Sequence, residues 1–76
     1  MFVTDVNGFI FNINTVEQMN IVKNEYNNDF LVRAYYINRL GNDAEKTLFR
    51  GTDEDCEKYM EWLYARIGIG TFHYTI

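Results

Sequence analysis

Between Gly51 and Gly68 the chain spells one complete helix, with a start, an apolar stripe and a stop. Thr52 or Asp53 can serve as N-cap, its side-chain oxygen accepting from a free backbone N–H of the first turn. Asp53, Glu54, Asp55 and Glu57 place negative charge at the positive end of the helix dipole. Gly68 suits the left-handed residue that closes a helix, and Ile69 beyond it can pack back onto the last turn. At about 100° per residue, Cys56, Met60, Leu63 and Ile67 share one stripe, flanked by Tyr59 and Tyr64. Glu54, Glu57, Lys58 and Glu61 fall opposite, and Glu54 to Lys58 is a favourable i,i+4 pair. Trp62 lies at the stripe's outer edge, beside Lys58, Tyr59 and Arg66. It can lap the edge of its own sheet, or stand exposed as an interface anchor, a role in which Trp is enriched.

Upstream of the helix the pattern is that of strands. Asn7-Gly8 is a strong hairpin signal, because a type I′ turn needs positive φ at both central residues. A two-residue loop there would set Val6 against Phe9, Thr4 against Phe11 and Phe2 against Ile13, all on one side of the sheet. Asp5, Ile10 and Asn12 would fall on the other. Residues 14–17 read as a turn and 18–24 as a strand, although Thr15 followed by Gln18 also resembles a capping box. Asn27-Asn28-Asp29 is a turn cluster, which suggests a second hairpin. Residues 30–38 have the clearest strand composition and are largely apolar on both sides, as a central strand should be. Leu40-Gly41-Asn42-Asp43 breaks that strand, and residues 47–50 read as a short strand leading into the helix. Phe72, Tyr74 and Ile76 alternate after Gly70 and fit a short last strand.

The expected architecture is α+β. A four- or five-stranded, mostly antiparallel sheet is built from an N-terminal hairpin, a second hairpin and a short strand. One C-terminal helix lies across one face. A single helix covers only one face of a sheet, so Ile10, Tyr35 and Ile37 are candidates for an uncovered second face. An edge strand would also offer backbone groups for β-addition.

Seventy-six residues make one small domain, and a chain of this size buries only about 60% of its unfolded surface. Small domains commonly add disulfides, a metal or a partner subunit. One cysteine excludes an internal disulfide, and one cysteine plus one histidine fall short of the four ligands of a structural zinc site. A partner subunit is the remaining support. At 47% hydrophobic and 17% aromatic residues the chain reads as a folded globule. No apolar run approaches the ~20 residues that span a bilayer, and no secretory signal is visible. A lone thiol suits a reducing compartment, so the expected location is the cytoplasm, of a host cell if the gene is viral. Abundant Asn, Ile, Tyr, Phe and Lys would suit an AT-rich genome.

The residues that could carry chemistry are few. Cys56 lies near a helix N-terminus, which can lower a thiol pKa. It also falls on the buried stripe among acids, which disfavour thiolate. His73 sits in an alternating segment between Phe72 and Tyr74 and is expected at the surface. The acids at 53–57 lack the spacing of a calcium loop, and Gly68-Ile69-Gly70 follows a helix where a phosphate loop would open one. No catalytic, cofactor or metal site is expected. Arg33, Arg39, Lys46 and Arg50 lie in one stretch with Tyr35 and Tyr36, a pattern that could stack bases of single-stranded nucleic acid. A net charge of −4 opposes that over the whole surface.

The expectation is a non-enzymatic protein-interaction module that self-associates, as a homodimer in the simplest case. The candidate contact residues are Trp62, Tyr59 and Arg66, with Tyr35 and Ile37 as a second set. The alternatives are an inhibitor of phage type that blocks a host enzyme or defence protein, and a nucleic-acid binder working through Arg33, Arg50 and Tyr35. No membrane partner and no small-molecule substrate is evident in the sequence.

Overall fold

Asn and Asp side chains start the turns of this chain and so set where its strands begin and end. The computed structural model describes residues 1–67 and 73–75, with Ile67 and the last three as backbone. In order along the chain, β1 is Phe2–Thr4, β2 Ile10–Asn12, a 3-10 turn Ile13–Thr15, β3 Val16–Asn24, β4 Asp29–Ile37, β5 Asp43–Gly51, α1 Asp53–Ile67 and β6 His73–Thr75. The class is α+β: a two-stranded antiparallel sheet and a larger sheet, antiparallel through β3, β4 and β5, with one C-terminal helix packed on the larger. That sheet has the order β5-β4-β3-β6, and β6 runs parallel to β3. As the two-sided apolar pattern predicts, β4 is central.

Two hairpin loops share one construction. In the first, the Asp5 N–H donates to Phe9 O at 2.9 Å and the Gly8 N–H to Asp5 O at 3.0 Å. The Asp5 carboxylate accepts from the N–H groups of Asn7 at 2.9 Å and Phe9 at 3.0 Å. In the second, the Asn38 N–H donates to Asn42 O at 2.9 Å and the Gly41 N–H to Asn38 O at 3.0 Å. The Asn38 Oδ1 accepts from Leu40 at 2.9 Å and Asn42 at 3.1 Å. Each loop ends its turn on a glycine at positive φ, 83° at Gly8 and 80° at Gly41. This is a type I turn followed by a left-handed bulge residue. Asn24 and Asn12 likewise accept from the N–H two residues on, the Asx-turn geometry. Asn12, Asn24 and Asn38 therefore each have a structural use, whatever the base composition of the gene.

The first loop corrects the register expected from Asn7-Gly8. Phe2 pairs with Asn12, Val3 with Phe11 and Thr4 with Ile10. The loop is one residue longer than a type I′ turn, and a one-residue slip exchanges the faces of one strand relative to the other. Val3 now joins Phe11 on the core side, while Phe2 and Ile10 are left exposed. The hairpin is also a sheet of its own and is not part of the larger one.

The core lies between the main sheet, the helix and the inner side of the hairpin. Met19, Ile21, Val32, Ala34 and Leu48 from the sheet meet Cys56, Met60 and Leu63 from the helix, with Phe11, Ile13 and Val16 closing one end. Each large aliphatic side chain buried this way contributes about 1.5–3 kcal/mol. Thr52 is the N-cap, its Oγ1 accepting from the Asp55 N–H at 3.1 Å. The stripe of Cys56, Met60 and Leu63 is buried as the helical period requires. The side chain of Ile67, the cap at Gly68 and the contact of Ile69 lie outside the described residues.

Strand β5 is longer than expected, starting at Asp43 instead of Thr47. Its polar first half is that of an edge strand, where charge deters unwanted pairing. Its register shifts between Val32 opposite Phe49 and Arg33 opposite Thr47. Leu48 is the extra residue, and this bulge lets it reach the core.

Candidate functional site: an aromatic groove beside the helix

An apolar groove of about 610 Å³ runs between β1, β5 and α1, lined by residues 2–5, Ile10, Leu48, Phe49, Tyr59 and Trp62. Each wall has a local cause. Phe49 follows the β5 bulge and stacks on Tyr59, with ring centroids 4.9 Å apart and planes 11° apart. Tyr59 is tilted against Trp62 at 5.8 Å, and the Arg66 guanidinium lies over the indole, 4.4 Å from its centroid. Phe49 comes from β5, while Tyr59, Trp62 and Arg66 are i,i+3 and i,i+4 neighbours on the helix, and the last contact is cation–π.

The hairpin forms the facing wall. Its tip is tied to β5 by the Val6 N–H, which donates to Thr47 O at 3.0 Å, and by Lys46, whose Nζ is 3.5 Å from the Asp5 carboxylate. Lys46 also stands over the Phe11 ring. The N–H donors of Phe9 and Asn7, with the charge of Lys46, outweigh partial burial and hold the Asp5 carboxyl below its ordinary range. Asp5 is thus an ionised anchor between loop and sheet.

What faces the opening is hydrophobic. Ile10 is 75% exposed, Phe2 68% and Trp62 45%. Among the described residues Asp5 is the one charged member of the lining, and its carboxylate is already engaged. Small-molecule sites of this size carry a few convergent polar groups that fix the ligand, and among the described residues this lining offers only the hydroxyls of Thr4 and Tyr59 and the indole N–H of Trp62 beside the engaged Asp5.

Trp62 and Tyr59 lie together on the groove, with Arg66 at its rim. Tyr35 and Ile37 lie elsewhere, on the face of the main sheet turned away from the helix. There Leu31 is buried, flanked by the ion pairs Arg50–Asp29 at 3.8 Å and Arg33–Glu45 at 3.6 Å. Arginine stems shield apolar surface in this way; the Arg50 side chain stays half-exposed, whereas the Arg33 Nε is buried without a hydrogen-bond partner. Ile37 is half-exposed at the strand end and Tyr35 half-buried. Of the cations proposed for nucleic acid, Arg33, Lys46 and Arg50 are each paired with an acid.

Sequence reasoning missed Phe2 and Ile10 as groove residues. The available signal was Asp5, an Asx three residues ahead of a Gly, which favours a type I turn over I′.

Cys56 is fully buried, and burial, then the charge of Asp53, pushes its thiol up. His73 is opposite Gln18 in the β3–β6 pairing, and its side chain lies outside the described residues. Among the described residues no group of three or more His, Cys, Asp or Glu is placed to hold a metal, and no helix is long and apolar enough to cross a membrane.

In comparisons with known proteins, no family model matches this chain, and no curated protein or solved structure matches it.

Proposed function

We propose that this protein is a small interaction module that acts by protein–protein contact through the aromatic groove. The observation that carries the reading is the exposure of Phe2, Ile10 and Trp62 around one apolar groove. Exposed apolar residues scattered singly are ordinary, whereas a contiguous patch marks a binding surface. Trp62 resembles a hot-spot residue in its setting, a large ring packed on Tyr59 and rimmed by Arg66. An inhibitor of phage type that occludes a larger host protein would use the same surface on a foreign partner. The nucleic-acid reading is weaker, because Arg33 and Arg50 each face an acid and among the described residues the lining holds no cation, Arg66 standing at the rim over Trp62.

Trp62→Ala tests the reading. It should weaken association, with itself or with a protein co-purified from the source cell, by about 2 kcal/mol or more. Sedimentation equilibrium or calorimetry measures this. Unchanged affinity with lowered thermal stability would make Trp62 a packing residue and remove the proposal.

A further inference from the structure

We infer that the occupant of the groove is a second copy of this chain, bound across a two-fold axis so that Ile10 of each copy enters the groove of the other between Phe2 and Trp62. This rests on the groove being a contact surface, and it names the partner.

An isologous contact needs one face that carries both a projection and a matching recess, because residue i meets j while j meets i. The groove face has both. Ile10 stands out at its rim, and the recess beside it is floored by Leu48 and Phe49.

The area is of the right size. Phe2, Ile10 and Trp62 together offer roughly 400 Å² of apolar side chain, taking about 150–250 Å² for a fully buried aromatic and the fractional exposures of the three residues. A standard interface takes about 800 Å² from each partner, and about half to two-thirds of that is apolar. Three residues thus supply most of the apolar share that such a dimer needs.

Charge points the same way. The chain carries a net −4, so two copies repel over most of their surfaces. They meet at least cost where no like charges are brought together. The groove satisfies this, since Asp5 is neutralised by Lys46 within its own chain. A strongly charged partner, by contrast, would find only Arg66 at the rim, its guanidinium already over the Trp62 ring. The single cysteine is buried and free, so these 76 residues have no internal disulfide, and a second subunit is one of the supports that small domains use.

Sedimentation equilibrium of the full chain, compared with Ile10→Asp, tests the inference. Ile10 is mostly solvent-exposed, so the variant should keep the wild-type circular dichroism spectrum. The wild type should form a dimer, and its single tryptophan should shift its emission to the blue as concentration rises through the transition. Ile10→Asp should raise the dissociation constant about 30-fold or more and abolish the shift over the same range. A wild type that stays monomeric at the highest soluble concentration overturns the inference. So does a dimer that neither Ile10→Asp nor Phe2→Asp weakens. If the wild type is monomeric but Trp62→Ala releases another captured protein, the second copy is wrong and the contact surface survives. If these variants alter neither self-association nor capture, both fall.

Discussion

The loops at Asp5–Phe9 and Asn38–Asn42 are the same turn built twice, with hydrogen bonds matching to about 0.1 Å. They differ in what the leading residue does beyond the turn. Asn38 is neutral, and its loop reverses β4 into β5 at an exposed corner. Asp5 carries a charge, is 9% exposed, and reaches Lys46 on the neighbouring sheet. Local chemistry alone thus makes a hairpin, and one added charge with a partner docks it. Docking is what turns β1 into the wall of a groove.

Alanine at the two leading positions separates these roles, and the difference between them should be the largest effect. Asn38→Ala removes two acceptor bonds at an exposed loop and should cost about 0.5–1 kcal/mol in a urea titration. Asp5→Ala should cost more, and should also speed hydrogen exchange at the Val6 amide, whose bond to Thr47 depends on the docked tip. Equal losses at both sites would mean that docking adds nothing.

The glycines should behave alike, which sharpens the same comparison. Neither Gly8 nor Gly41 has an atom within 4 Å of where a Cβ would stand, so only the positive φ matters. Gly8→Ala and Gly41→Ala should each cost about 1–2 kcal/mol, with similar shifts in denaturation midpoint. A much larger loss at Gly8 would show that the first turn carries strain the second does not.

The smallest effect is one of pH. The Asp5 carboxyl is held below its ordinary value of 3.8 by the Phe9 and Asn7 N–H groups and by Lys46. A depressed folded-state pKa adds stability that is complete above the unfolded value and is lost as pH falls through the folded one. Melting temperature should therefore fall more steeply below about pH 4 in the wild type than in Asp5→Asn. Above that range the two curves should run parallel. Coincident slopes in acid would remove Asp5 as an ionised anchor.

The helix was legible because its signals are local: a capping threonine, acids in the first turn, and an apolar stripe at the helical period. The central strand was legible because both its sides are apolar. The hairpin register was not, because Asn7-Gly8 fits two turns that differ by one residue. Choosing between them needed attention to Asp5, whose side chain closes the longer loop. The extent of β5 was hidden by its polar first half, whose partners are contributed by β4. Of the candidate contact residues, Trp62, Tyr59 and Arg66 follow from helical spacing alone. Their union with Phe2 and Ile10 depends on how two sheets meet, which periodicity within one segment does not encode.

One joint has a bearing on kinetics. Only Thr52 separates β5 from α1, and a Cβ on Gly51 would come within 3.1 Å of the Phe49 ring and 3.3 Å of the Asp55 Cβ. So short and crowded a corner leaves the helix little freedom to swing, which holds Trp62 and Tyr59 against the strand that carries Phe49. The contact proposed for the groove would therefore meet a template already in its final form, with little conformational entropy left to lose at encounter and an association rate set by collision and orientation.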